Sequence, residues 1–190
     1  MNFAILVIAA GASRRLGQPK QLLKYHNTSL LNHTLQECIA SDIGNVHLVL
    51  GANIDQIKQQ VNLDIPIYYN ENWADGIGAT IALGVQKIME KNYDGVIIAV
   101  GDQPFLNRNI LTAIMAKQRE TKRQIIISKY DIGAGTPCFF DKQLFEELSQ
   151  LHSDIGAKPI IKKYKNLVET VDFPKGNIDI DTVADLKYLK

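Results

Sequence analysis

Three cations, Arg14, Arg15 and Lys20, follow the small residues Ala9-Ala10-Gly11-Ala12-Ser13 at the end of an apolar run. Small residues let main-chain N–H groups approach an anion, and guanidinium and ammonium groups neutralise phosphate. Far downstream, Asp102 stands just beyond the apolar run Gly95 to Val100. A carboxylate in that position can hold Mg²⁺, which takes one or two carboxylates together with substrate phosphate oxygens. Asp179 and Asp181 alternate in Asp179-Ile180-Asp181-Thr182, so an extended segment puts both on one side. One of them can supply a second metal ligand. In the glycine-rich turn Gly76-Ile77-Gly78-Ala79-Thr80, Thr80 is expected to cap the helix that follows, with open N–H groups facing a ligand. Each group also has a plain structural use. The cations can be solvated, Asp102 can close a turn, and Asp181 or Thr182 can cap a last helix whose first turn contains Asp185.

Two common phosphate loops do not fit. A Walker A loop needs Gly-Lys-Ser/Thr, whereas Gly17 is followed by Gln18 and Pro19 before Lys20. The dinucleotide fingerprint Gly-x-Gly-x-x-Gly fails at Ala12 and Ser13. There is no Gly-x-Ser-x-Gly elbow and no His-Glu-x-x-His pair. The histidines, His26, His33, His47 and His152, have no ligand spacing between them and read as structural. Trp73 and Tyr69 can pack on a base or sugar, or simply close the core. The pattern favours chemistry through phosphate and metal over chemistry through a nucleophilic side chain.

These residues need a scaffold, and the hydrophobic pattern supplies one. Apolar runs of strand length lie at residues 3–9, 46–50, 65–69, 95–100, 124–128, 136–140 and 167–173. Unbroken apolar runs suit parallel strands covered on both faces. Helical periodicity predicts helices over residues 29–41, 80–91, 110–120, 141–150, 158–164 and 182–190. Strand and helix alternate to about residue 128, which predicts right-handed βαβ units. Ligands in such sheets bind beyond the carboxyl ends of the strands. The loops after Ala9 and Val100 are two of those ends.

The chain has 190 residues, 46% of them hydrophobic and 22% charged, enough for one domain with a real core. A net charge of +1 argues against the broad basic face that nucleic-acid binding needs. The apolar start is too short to span a bilayer and its charges follow the run, so it reads as a buried strand and not a leader or membrane anchor. Cys38 and Cys138 lie far apart, outside any Cys-x-x-Cys pattern, and read as reduced core residues of a cytoplasmic protein.

Five stretches, in order, carry a resemblance: LVIAAGASRRLGQPKQLL, NENWADGIGATIALGV, GDQPFL, GAGTPCFF and IDIDTVADL. With them the chain resembles the MobA-like NTP transferases, and within these the molybdenum cofactor cytidylyltransferases. The resemblance implies one Rossmann-like three-layer α/β domain over residues 1–190, with a mostly parallel sheet of the nucleotide-diphospho-sugar transferase type. It implies nucleotide binding by Ala9, Ala10, Gly11, Ala12, Ser13, Arg15, Lys20 and Gly78, and catalysis by Arg15, Lys20 and Asp102. Mg²⁺ would be held by Asp102 and Asp181. The guanylyltransferase relatives read Leu-Ala-Gly-Gly where this chain reads Ile8-Ala9-Ala10-Gly11, so the implied donor is CTP. The implied acceptor is of the molybdopterin type, and the implied protein partner is a molybdoenzyme or its maturation factor. Guanylyl transfer, transfer to a sugar or polyol phosphate, and a non-catalytic cofactor carrier are the alternatives. The chain departs from the cytidylyltransferase pattern in two places. Ser153 to Lys158 read SDIGAK where Gly-Asp-x-Gly-Ala-Arg is common, and Gly135-Thr136-Pro137 lack the usual following His.

Overall fold

The computed structural model describes residues 2–189. Strand β1 (Phe3–Ala9) is buried along its whole length. A hairpin of β2 (Lys24–Tyr25) and β3 (Thr28–Ser29) leads into helix α1 (Leu30–Ala40). Then come β4 (Gly44–Leu50), the short helix α2 (Ile54–Lys58), β5 (Ile67–Tyr69), α3 (Ile77–Met89), β6 (Gly95–Val100) and α4 (Arg108–Thr121). The chain continues through β7 (Ile125–Lys129), β8 (Ala134–Asp141), α5 (Phe145–Leu148), α6 (Lys158–Lys163) and β9 (Val168–Asp172).

The main sheet has seven strands in the order β5-β4-β1-β6-β8-β7-β9. All neighbours are parallel except β8, which runs antiparallel to both β6 and β7. Alternation along β1 explains its burial. Ile5 and Val7 face a core built with Leu31 and Leu35 of α1 and Leu111, Ile114 and Met115 of α4. Leu6 and Ile8 face the opposite core with Ile81, Val85 and Ile88 of α3, Leu148 and Ile160. A central parallel strand covered on both faces has no solvent side, hence its continuous apolar run. The result is three layers, as expected for the Rossmann-like nucleotide-diphospho-sugar transferase type.

Differences from expectation have local causes. Helix α3 begins at Ile77 with Gly76 at its N-cap, in a left-handed conformation at φ 103. Thr80 therefore lies inside the helix and does not cap it; its buried Oγ1 accepts from Asn70 Nδ2 at 2.9 Å. Strand β5 starts at Ile67, because Pro66 has no N–H for the ladder and only lends its carbonyl to Leu48 N. Residues 141–150 hold a 3₁₀ turn at Lys142–Leu144 followed by α5, not one helix. The last element is a 3₁₀ helix over Val183–Leu189, and residue 190 of the expected helix lies outside the described residues. Both cysteines are free and buried. No helix among the described residues is long and apolar enough to cross a membrane.

Candidate functional site

The loops after β1 and β6 meet at the carboxyl edge of the sheet, and the C-terminal segment returns to join them. Asp102 follows β6 directly, and its main-chain carbonyl accepts from Ile180 N at 3.0 Å. That bond lays the segment 178–182 beside Asp102 and delivers Asp181 to the cleft. Asp185 secures the delivery: its Oδ2 accepts from Thr182 N at 2.7 Å, Thr182 Oγ1 at 2.8 Å and Asp181 N at 3.2 Å. Asp185 thus serves the segment's backbone, as a first-turn carboxylate does, while Asp181 stays available to the cleft.

Four charged side chains converge there. Lys20 Nζ lies 2.5 Å from Asp102 Oδ2 and 2.7 Å from Asp181 Oδ1. Arg15 Nη2 lies 2.7 Å from Asp181 Oδ2. Burial acts to lower the Lys20 pKa, but the charge and hydrogen bond of Asp102, joined by those of Asp181, outweigh it and raise the value. For Asp181, burial acts upward, while the Lys20 and Arg15 contacts prevail and hold it below the usual carboxylate range. Both carboxylates of the clasp are therefore matched to ammonium and guanidinium partners.

The cleft around them has a volume of about 430 Å³. Its walls include Ala9, Ala10, Gly11, Ser13, Arg14, Arg15 and Lys20 from the first loop, Trp73, Gly76, Ile77 and Thr80 from the α3 entry, and Asp102 and Asp181. Ser13 has φ 54, and its Oγ accepts from Lys20 N at 3.1 Å, closing the loop into a ring. Gln21, 2% exposed, reaches under the loop and donates from Nε2 to Ala9 O at 2.9 Å and Gly11 O at 3.0 Å. The sequence pattern does not single out Gln21. A glutamine next to a phosphate-type lysine is the only signal it gives, since its role depends on the loop's closure.

Two expected nucleotide residues stand elsewhere. Ala12 is half-buried and does not line the cleft. Gly78 is turned toward the segment 152–154 instead of the nucleotide side: its N–H donates to Ser153 O at 2.8 Å, and a Cβ there would meet His152 O at 2.5 Å. Asp154 Oδ1 accepts from Ile77 N at 3.3 Å, so the start of α3 is partly occupied by this chain's own loop. The glycine at 78 permits close backbone packing against that loop.

A second compartment of about 340 Å³ adjoins the first. The two share Ile77, Val100, Asp102 and Asp154 in their walls. Ile81, Ile98 and Ile161 form an apolar side of the second, with Gln103, Tyr130, Thr136 and Lys158 among its polar groups. Gln103 anchors the partition, donating from Nε2 to Gly176 O at 2.5 Å and to Tyr130 Oη at 3.3 Å. Asp179 also lines this compartment, opposite in use to Asp181 although only two residues away. It is still exposed at the mouth, yet the surrounding walls first, and the Asp102 charge second, raise its pKa to about 7. Asp102 thus stands at the junction of two cavities, one ringed by cations and the other mixed in character.

The residues fit a hard divalent cation. Asp102 Oδ1 is buried without a hydrogen-bond donor, and Asp181 offers carboxylate oxygen across from it. No group of three or more His, Cys, Asp or Glu among the described residues is placed to hold a metal alone. Two carboxylates completed by phosphate oxygens match the preference of Mg²⁺ and Mn²⁺.

This fold, with its ligand cleft at the carboxyl ends of the strands, defines an α/β protein of the nucleotide-diphospho-sugar transferase type. The chain belongs to the MobA-like NTP transferase family, whose domain matches residues 5–168. A Paenarthrobacter nicotinovorans protein named nicotine blue oxidoreductase is 27% identical over 97% of this chain and 94% of its own length. The purine catabolism protein PucB of Bacillus subtilis is 26% identical over 82% of this chain and 78% of its own. The structure of Rv0371C from Mycobacterium tuberculosis in complex with manganese superimposes with a TM-score of 0.82, at 25% identity, over 100% of this chain and 98% of that one.

Proposed function

We propose that this protein moves a nucleoside monophosphate from CTP to a phosphorylated acceptor of the molybdopterin type and releases pyrophosphate. The observation that carries this reading is the meeting of Lys20, Arg15, Asp102 and Asp181 at the junction of two cavities. Family membership supports an NTP as donor. Ala10, in place of the glycine found in the guanylyl-transferring relatives, supports CTP. The manganese complex of the mycobacterial relative supports a divalent cation, which we take to be Mg²⁺.

In the reaction, an ionised oxygen of the acceptor phosphate attacks the α-phosphorus. A new P–O bond forms, the bond from the α-phosphorus to the α–β bridging oxygen breaks, and pyrophosphate leaves with the electron pair. The nucleophile carries no proton at neutral pH, so no general base is required. Alignment and charge neutralisation then supply the rate. The Gly11 loop offers main-chain N–H groups to the phosphates, and Gln21 keeps that loop in shape. Arg15 and Lys20 neutralise the departing pyrophosphate. Asp102 and Asp181 would hold the divalent ion, which supplies further positive charge at the reacting phosphate. The second compartment would take the acceptor, with its phosphate toward Asp102.

A pyrophosphate-release screen of the four NTPs against molybdopterin and several sugar phosphates tests the reading. Release with CTP and molybdopterin alone is expected. Release with GTP or with a sugar phosphate would reassign the donor or the acceptor. Cofactor binding without release from any NTP would make the protein a carrier. The name of the nicotinovorans relative raises a redox alternative, which the clasp of cations and carboxylates does not favour.

A further inference from the structure

We propose that Lys20 is a displaceable occupant of the divalent-metal seat, so that the metal binds together with the nucleotide and not ahead of it. This rests on the transferase reading only for its nucleotide arm. The Nζ of Lys20 sits between Asp102 Oδ2 and Asp181 Oδ1, at 2.5 and 2.7 Å. A divalent cation held by those two carboxylates would take the place of the ammonium group, with the side chains drawing in from these distances to the shorter ones a hard cation needs. The two cannot share the seat, since each is a cation and the space is little screened by water. The Lys20 and Asp102 side chains are only 14% and 20% exposed.

The charge balance leads to the same conclusion. Asp102 and Asp181 are met by Lys20 and Arg15, so the charges of these four side chains sum to zero. A free divalent cation meets two satisfied carboxylates and must break their ion pairs to enter. A triphosphate changes this. Lys20 is a point charge on a flexible stem, and phosphate oxygens held by the Gly11 loop give it a new partner within the same cleft. Once Lys20 and Arg15 turn to the phosphates, Asp102 and Asp181 are left as two uncompensated carboxylates, and the seat becomes strongly attractive to a divalent cation. The buried Asp102 Oδ1, which the clasp leaves without a donor, is then ready as a ligand atom. Such coupling is reciprocal: the nucleotide tightens the metal by the factor by which the metal tightens the nucleotide.

The test measures Mn²⁺ binding to the full chain through loss of the free-ion electron paramagnetic resonance signal. Wild type, Lys20→Met and Lys20→Arg are compared, first with Mn²⁺ alone. Lys20→Met is expected to bind Mn²⁺ at least about tenfold more tightly than wild type, a typical coupling factor. Lys20→Arg, which restores a cation, is expected to stay near wild type. A Lys20→Met affinity equal to or weaker than wild type overturns the proposal. Adding a CTP analogue with an α,β-methylene bridge is expected to tighten Mn²⁺ by a similar factor in wild type and far less in Lys20→Met. An equal gain in both proteins overturns the coupled entry. Failure of the analogue to bind would count against the CTP reading while the metal-only arm still decides the role of Lys20. If Lys20→Met does not show a cooperative thermal melt, Lys20→Gln takes its place.

Discussion

Asp102 is the residue on which the chemistry and the fold make separate demands. Its Oδ1 is buried without a partner, and its Oδ2 is matched by Lys20 alone among the side chains described. Such a group contributes little to stability, because an unpaired buried oxygen costs about as much as a partly buried ion pair returns. Active sites often store this kind of local cost. Asp102→Ala is therefore expected to lower pyrophosphate release by about a hundred- to a thousandfold, the scale of removing a principal electrostatic group. Its melting temperature should stay at or slightly above that of wild type. A variant that keeps full turnover in Mg²⁺ would remove Asp102 from the mechanism, and one that melts many degrees lower would make it a structural residue. Asp181 shares the cleft but differs in kind: its pKa is held down by two cations, and its position depends on a segment far from β6 in sequence.

At the scale of elements, much of the architecture is legible in the sequence. Strands β1 and β6 have the bounds their apolar runs announce, since a strand buried on both faces has no other way to be written. The start of α3 is less legible. Thr80 looks like a cap, but Gly76 alone can take φ 103, and the loop bearing Ser153 and Asp154 supplies the groups that meet the first N–H donors. No local pattern reveals a partner more than 70 residues away. Strand β4 adds a case in which a histidine reads as structural and proves so. His47 is 1% exposed, with Nδ1 at 3.0 Å from Tyr68 Oη and Nε2 at 2.9 Å from Tyr93 Oη. Burial first, and the Lys91 charge second, lower its pKa from 6.5 to about 4. Because the fold favours the neutral ring, its contribution to stability is complete above pH 6.5 and declines as pH falls from 6.5 toward 4. The loss across that window is about 3 kcal/mol, at about 1.4 kcal/mol per pH unit between the two values. Urea denaturation at half-unit pH steps should show this slope in wild type and a flatter one in His47→Gln. Identical slopes in the two proteins would place the acid sensitivity elsewhere.

At the scale of the whole molecule, the site exists because the end of the chain returns to its beginning. β1 provides the phosphate loop, β6 provides Asp102, and the segment after β9 crosses back to supply Asp181. The alternation of Asp179 and Asp181 in the sequence points to a carboxylate in the cleft but not to which one. Ile180 between them is fully buried against Tyr25 and Leu30 and so turns both neighbours away from that core, and the ion pairs with Lys20 and Arg15 then single out Asp181. Leu186, Tyr188 and Leu189 pack on the same small cluster, and Tyr188 meets Phe105 edge to face with centroids 6.3 Å apart. This cluster meets the first large core only at its edge, through Phe105, so the segment can loosen without the sheet unfolding. Ile180→Ala removes packing worth about 2–4 kcal/mol, and that loss should fall on the segment first. Hydrogen exchange of the amides in residues 178–189 is expected to accelerate by at least about tenfold, with the amides of β1 and β6 unchanged. Pyrophosphate release should fall by a comparable factor, because Asp181 then spends less time beside Asp102 and Lys20. Retained protection of the segment together with a large fall in melting temperature would instead make Ile180 part of the global core, and would separate the placing of Asp181 from this cluster.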